Sequence, residues 1–206
     1  EEKASYIIKR SDVVLATERL FEVFERYREF QDVKSKLKVT ADIHETIAYI
    51  RGNFDKENIS VLADGDPMFF GFGRMVLKEF DKEAVEIFPD LSSVQVAFSR
   101  IKEPWGDAFL MSLHGGPDPK IRRQPEYGLA EVSKLLDVYD KIAILTDRVN
   151  NPVAISQTLL KSNSLNMYVC ERLGYPDEKI TVGTPQEISN GTFSYPNVVI
   201  ILKKRN

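Results

Sequence analysis

The sequence predicts an α/β fold organised as two lobes, and three observations carry that reading. Short β-branched runs alternate with amphipathic helical periods along the chain. In the first half the order strand, helix, strand, helix is that of parallel βαβ units covered on both sheet faces. A segment dense in glycine, proline and charge, GGPDPKIRRQPEYG over 115–128, then interrupts the pattern as a linker would. The lobes are therefore expected at 1–115 and 116–206.

Each element has its own justification. Residues 1–10 read as a helix, and DVVLAT (12–17) is a short run suited to a buried strand. Leu20, Phe24 and Tyr27, with Phe21, Val23 and Phe30, recur at helical spacing and predict a helix over 18–30. Ile43, Ile47 and Ile50 define a second helix ending near Gly52. ISVLA (59–63) is the next strand, 67–80 a helix, AVEIF (84–88) a strand, and 92–101 a helix with Val94, Phe98 and Ile101 on one face. After AFLMSLHGG (108–116) come a helix over 129–139, the strand KIAILT (141–146), a helix over 152–161, the strand MYVCERL (167–173) and the closing strand NVVIILKK (197–204). Mixed strand directions are expected in this second lobe.

Composition excludes several classes. The 206 residues carry 28 Lys and Arg against 31 Asp and Glu, so a net charge of −3 offers no global attraction to nucleic acid or an anionic membrane. Neither partner is expected. Cys170 is the single cysteine, which rules out an internal disulfide and fits a reducing, cytoplasmic setting. With only His44 and His114 beside it, no zinc-ligand spacing exists, and no metal is expected. No run reaches membrane-span length and no signal-peptide pattern opens the chain.

The stretch VLADGDPMFFGFGRM (61–75) is chemically unusual. If 59–63 is a parallel strand, 64–67 lie at its carboxyl end, where open α/β sheets place ligands. Gly65 allows close backbone approach or a positive φ. Asp66 and Pro67 suit the N-cap and first position of the following helix, whose free N–H groups would favour a carboxylate. Asp64 or Asp66 can face an ammonium or sulfonium. A capped strand-to-helix turn, with Met68, Phe69 and Phe70 as core packing, accounts for the same residues.

In order along the chain, VLADGDPMFFGFGR (61–74), VEIFPDLSSVQVAFSRIKEPWGDAFLMSLHGG (85–116), ILTDRVNNPVAI (144–155) and VCERLGYPDEKITVGTPQEI (169–188) resemble the successive signatures of the tetrapyrrole (corrin/porphyrin) methylase family. They are most similar to its CbiE-like branch, which methylates C-5 of precorrin-7 or cobalt-precorrin-7 in cobalamin biosynthesis. The resemblance implies two α/β lobes with S-adenosyl-L-methionine in the cleft between them, and a homodimer. Carried over position by position, it implies cofactor contacts at Gly65, Asp66, Pro67, Phe69 and Phe70. Ser92, Ser93 and His114 follow, then Leu145, Thr146, Asn151 and Pro152 in the second lobe. The family's first strand and its G-x-G-P-G turn are expected upstream of residue 1. Because the chain ends at Asn206, C-5 methylation alone is expected, with a separate decarboxylating C-15 methyltransferase acting in the same pathway.

Such a transfer asks little of acid and base groups, since a sulfonium already makes its methyl electrophilic; alignment in a dry site should dominate. His114 is the candidate base, or else a hydrogen-bonded histidine lining the cofactor pocket. A ring bearing acetates and propionates calls for cations. Arg19, Arg100 and Arg74 are the leading candidates, from a pool that includes Lys120, Arg122, Arg123 and Arg148; solvated surface charge is the competing reading for each. Trp105 reads as packing. Two other functions stand beside this one: a different methylase of the same fold, such as a diphthine synthase, and a non-catalytic S-adenosylmethionine-binding module.

Overall fold

The computed structural model describes residues 2–113, 127–162 and 164–204. It divides into two units, Glu1–Ser92 and Ser93–Asn206. The expected boundary at 115/116 falls within 114–126, outside the described residues.

In the first unit a three-stranded parallel sheet, order β2-β1-β3, is built from β1 (Val13–Thr17), β2 (Leu37–Thr40) and β3 (Ile59–Val61). The β-branched run predicts β1 well, and Val14, Leu15 and Ala16 are its buried centre. Around it run α1 (Glu2–Arg10), α2 (Glu18–Phe24), α3 (Phe30–Val33), α4 (Ile43–Asn53) and α5 (Gly73–Glu79). Val14, Phe24 and Val33 form a core with Ile8, Phe30, Leu37 and Leu62 packed against it. Asp42 starts α4 by accepting the N–H groups of His44 and Glu45 at 2.8 and 2.9 Å, as an N-cap does.

Three expectations change here. The helix predicted over 18–30 is broken at 25–29, where the chain turns before α3. The helix predicted over 67–80 begins only at Gly73. Phe70 has φ +54°, and a Cβ at Gly71 would lie 2.6 Å from the Pro67 carbonyl, so the chain coils back on itself before the helix can start. Asp66 and Pro67 are thus not a helix N-terminus, and the dipole argument for an anion there fails. The strand predicted over 84–88 is also absent: a 3-10 turn occupies Lys82–Ala84, and the extended chain after it joins neither sheet.

The second unit holds a five-stranded sheet, order β4-β5-β8-β6-β7. Its strands are β4 (Phe109–Ser112), β5 (Lys141–Leu145), β6 (Leu165–Glu171), β7 (Lys179–Gly183) and β8 (Asn197–Lys203). Among the described residues, only β4 and β5 of this sheet pair in parallel; the other three ladders are antiparallel, which gives the mixed directions expected. α6 (Ser93–Ile101) packs on β8. α7 (Val132–Val138), α8 (Pro152–Gln157) and α9 (Pro185–Ser189) complete the unit. Leu135, Leu136, Ile155, Leu159 and Ile188 meet Ile142, Ile144, Met167, Val169, Val199 and Ile201 in one buried cluster, a continuous core of the sort that layered sheets and helices require. Among the described residues, no helix is long and apolar enough to cross a membrane.

Candidate functional site

Two clusters of chemically capable residues sit at the carboxyl ends of parallel strands, one in each unit. In the first, the ladder of β1 and β3 is prolonged by Leu62 N–H donating to the Leu15 carbonyl at 2.9 Å. The chain then turns at Asp64. Arg19, in the first turn of α2 directly after β1, forks onto Asp64: Nη1 donates to Oδ1 at 3.2 Å and Nη2 donates to Oδ2. Both side chains are about half exposed. An ion pair in such surroundings contributes roughly 0–1 kcal/mol, so its placement at two neighbouring strand ends says more than its energy.

Gly65 follows with φ +54°, and a Cβ there would meet the Leu91 carbonyl oxygen at 2.8 Å and Ser92 Cα at 3.2 Å. Only glycine fits both the dihedral and the approach. The turn at 64–67 is thereby pressed against Leu91 and the buried Ser92. Asp66 Oδ1 accepts from Met68 N–H at 2.8 Å while its carbonyl accepts from Phe69 N–H at 3.1 Å, closing a tight loop. The rings of Phe69 and Phe70 meet edge to face at 4.9 Å between centroids. Gly73 N–H returns to the Pro67 carbonyl at 2.9 Å, and Arg74 stands in the first turn of α5. Arg19, Gly65, Asp66, Pro67, Phe69, Phe70, Arg74 and Ser92 therefore all belong to the first unit.

In the second unit, Ser112 and Leu145 are the register partners that end the β4–β5 pair. Thr146 is buried and donates to the carbonyl and Oδ1 of Asn197 at 2.8 and 2.7 Å. Asn151 caps α8 by accepting Ala154 N–H at 3.0 Å, with buried Pro152 at the first helical position. Between them Asp147 Oδ1 accepts the N–H groups of Val149 and Asn150 at 2.8 and 2.6 Å. Asp147 and Asn150 escaped the sequence reading. The D-x-x-N spacing in TDRVNNP is their only local signal, and it marks an Asx-type turn without saying what the turn holds.

Ser93 opens α6, exposed. Arg100, near the end of the same helix, is committed to Glu178, its Nε donating to Oε1 at 2.5 Å. The hydrogen bond and charge of Glu178 raise the Arg100 pKa; reciprocally, Arg100 first and then Gly174 N–H hold Glu178 below the usual carboxylate range. His114, Lys120, Arg122 and Arg123 lie outside the described residues.

S-adenosylmethionine is a cation at sulfur, a zwitterion at its amino-acid end and a nucleoside at the other. Each unit by itself carries groups suited to it: in the first, the Asp64 and Asp66 carboxylates at a turn packed against the buried Ser92; in the second, the paired strand ends at Leu145 and Thr146.

A family model, Tetrapyrrole (Corrin/Porphyrin) Methylases, matches residues 2–189. The "Probable cobalt-precorrin-7 C(5)-methyltransferase" of Methanocaldococcus jannaschii is 29% identical over 205 residues, 96% of this chain and 89% of that protein. The structure of the cobalamin biosynthesis precorrin-6Y methylase (cbiE) from Archaeoglobus fulgidus superposes with a TM-score of 0.69 at 25% identity, over 100% of this chain and 91% of the other. A uroporphyrin-III C-methyltransferase from Thermus thermophilus, solved with S-adenyl homocysteine, shares the fold at a TM-score of 0.70 and 18% identity, covering 98% and 90% of the two chains. The chain belongs to the tetrapyrrole (corrin/porphyrin) methylase family.

Proposed function

We propose that this chain transfers a methyl group from S-adenosyl-L-methionine to C-5 of a corrin precursor, precorrin-7 or cobalt-precorrin-7, in cobalamin biosynthesis. The observation that carries the reading is the near full-length match, on both sides, to a relative named for that reaction.

When bound, the cofactor supplies an electrophilic methyl group to an electron-rich ring carbon. The chain's own residues bind, orient and exclude water, which is where most of the rate enhancement of such a transfer arises. In this reading Gly65, Asp66, Pro67, Phe69, Phe70, Ser92 and Ser93 contact the cofactor, as do Leu145, Thr146, Asn151 and Pro152. Arg19 offers its guanidinium to ring carboxylates from its seat beside Asp64, as does Arg74. Arg100 does the same by exchanging Glu178 for a ring carboxylate. For His114 the same reading keeps two roles, a cofactor contact or the base that accepts the proton leaving the methylated carbon. The functional lobes of this proposal are 1–115 and 116–206.

The same reading includes cytoplasmic action, supported by the lone, buried Cys170, together with a homodimer and a separate C-15 decarboxylating methyltransferase. Mass spectrometry of the macrocycle after incubation with S-adenosylmethionine tests the reaction. A gain of one methyl without loss of carbon dioxide is expected; an unchanged ring, or a decarboxylated one, would overturn it.

A further inference from the structure

We infer that Asn150, oriented by Asp147, is a positioning residue for the S-adenosylmethionine site, locking the end of β4 to the loop that leaves β5; the inference rests on the function proposed above.

β4 and β5 pair in parallel, so their carboxyl ends lie side by side, the place where open α/β sheets receive ligands. The residue leaving β4 is Leu113, which is buried and has its backbone gripped from two sides. Its N–H donates to the Leu145 carbonyl at 2.8 Å, and its carbonyl accepts from Asn150 Nδ2 at 3.1 Å. Asn150 Nδ2 also donates to Asp147 Oδ2 at 3.3 Å, while the other Asp147 oxygen accepts two backbone N–H groups of the same loop. Asp147 is only 9% exposed. One buried carboxylate therefore shapes the loop and aims the amide that holds the neighbouring strand end.

The chemistry at position 150 is specific. An amide nitrogen supplies two protons, one for each acceptor; a carboxylate there would face two oxygens with nothing to donate. A buried polar network whose members satisfy one another is rigid. Here that rigidity lies between Leu145 and Thr146 on one side and Asn151 and Pro152 on the other, four residues assigned to the cofactor. Side chains that order a binding loop in advance remove that cost from binding itself. Exposed Arg148 and Val149, at the tip of the same loop, have no comparable role in the core.

Calorimetric titration of S-adenosylmethionine into the wild-type chain, Asn150→Ala, Asn150→Asp and Asp147→Asn tests this. Each variant should bind roughly tenfold or more weakly, the loss expected when a buried carbonyl forfeits its donor. The KM for the ring should stay within about twofold, because Arg19, Arg74 and Arg100, the residues proposed for the ring, lie outside this loop. Wild-type affinity in Asn150→Ala and Asp147→Asn would overturn the inference and leave the proposed function standing. So would cofactor affinity and ring KM failing together in step with lost folded protein. If Asn150→Ala does not fold, Asp147→Asn, which keeps its volume and one acceptor, decides alone. No binding by the wild-type chain would refute the proposed function, and this inference with it.

Discussion

Replacing Gly65 with alanine should destabilise the chain by about 2–5 kcal/mol, summed from two separate costs. The first is conformational. At φ +54° an L-residue brings its Cβ against the following carbonyl, at about 1–2 kcal/mol. The second is steric: the new methyl would stand 2.8 Å from the Leu91 carbonyl oxygen and 3.2 Å from Ser92 Cα. Both neighbours are backbone, so no side chain can swing aside. Overpacking of this kind costs about 1–3 kcal/mol. Gly52 supplies an internal control. It sits in α4 with nothing within 4 Å of its virtual Cβ and no positive φ, so Gly52→Ala should instead stabilise by about 0.5–1 kcal/mol. Equilibrium urea unfolding of the two variants beside wild type reads the opposite signs directly. Calorimetry with S-adenosylmethionine adds a second readout, since relief of the clash must displace 64–67 from Leu91 and Ser92. A Gly65→Ala midpoint equal to wild type would refute both the assigned dihedral and the tight approach.

Two further outcomes follow from charge and burial. Burial, reinforced by the negative charges of Glu178 and Glu171, pushes the Cys170 thiol up to about 12; it should be inert to thiol reagents at pH 8 in the native protein and react at once in denaturant, and rapid native labelling would contradict its place in β6. Glu178 has a depressed folded pKa, so the stability it contributes is present above the ordinary glutamate range and is lost as pH falls through its folded value. Arg100→Leu should return the Glu178 titration, followed by carbon-detected NMR, toward the ordinary range and flatten the acid limb of the unfolding curve; an unmoved titration would show that Arg100 is not its main partner.

Much of the architecture was legible because periodicity reports burial. The β-branched runs of β1, β5 and β8 are strands since they are buried, and the isoleucines of α4 recur where a helix must face a sheet. What stayed hidden was of two kinds. Short exposed strands such as β2 and β7 carry too few apolar positions to stand out, although the capping box from Thr184 to Glu187 announces α9 just beyond. The span 67–72 misled in the other direction. Its aromatics suit a helix, but glycines at 71 and 73 exist for close backbone approach to Pro67, a relation that helical spacing cannot reveal.

Candidate residues divide in the same way. Gly65, Asp66 and Pro67 stand out in one dimension because a charged glycine turn after an apolar strand is locally conspicuous. Family membership, too, is written in linear motifs. Folding alone could decide that Arg19 faces Asp64, that Arg100 is held by Glu178 from 78 positions away, and that Asn150 reaches Leu113 across 37. Local spacing encodes backbone turns and buried faces, since these are set by neighbours in the chain. The partner of a polar side chain depends on which strand ends the sheet order brings together, and that order is a property of the whole core.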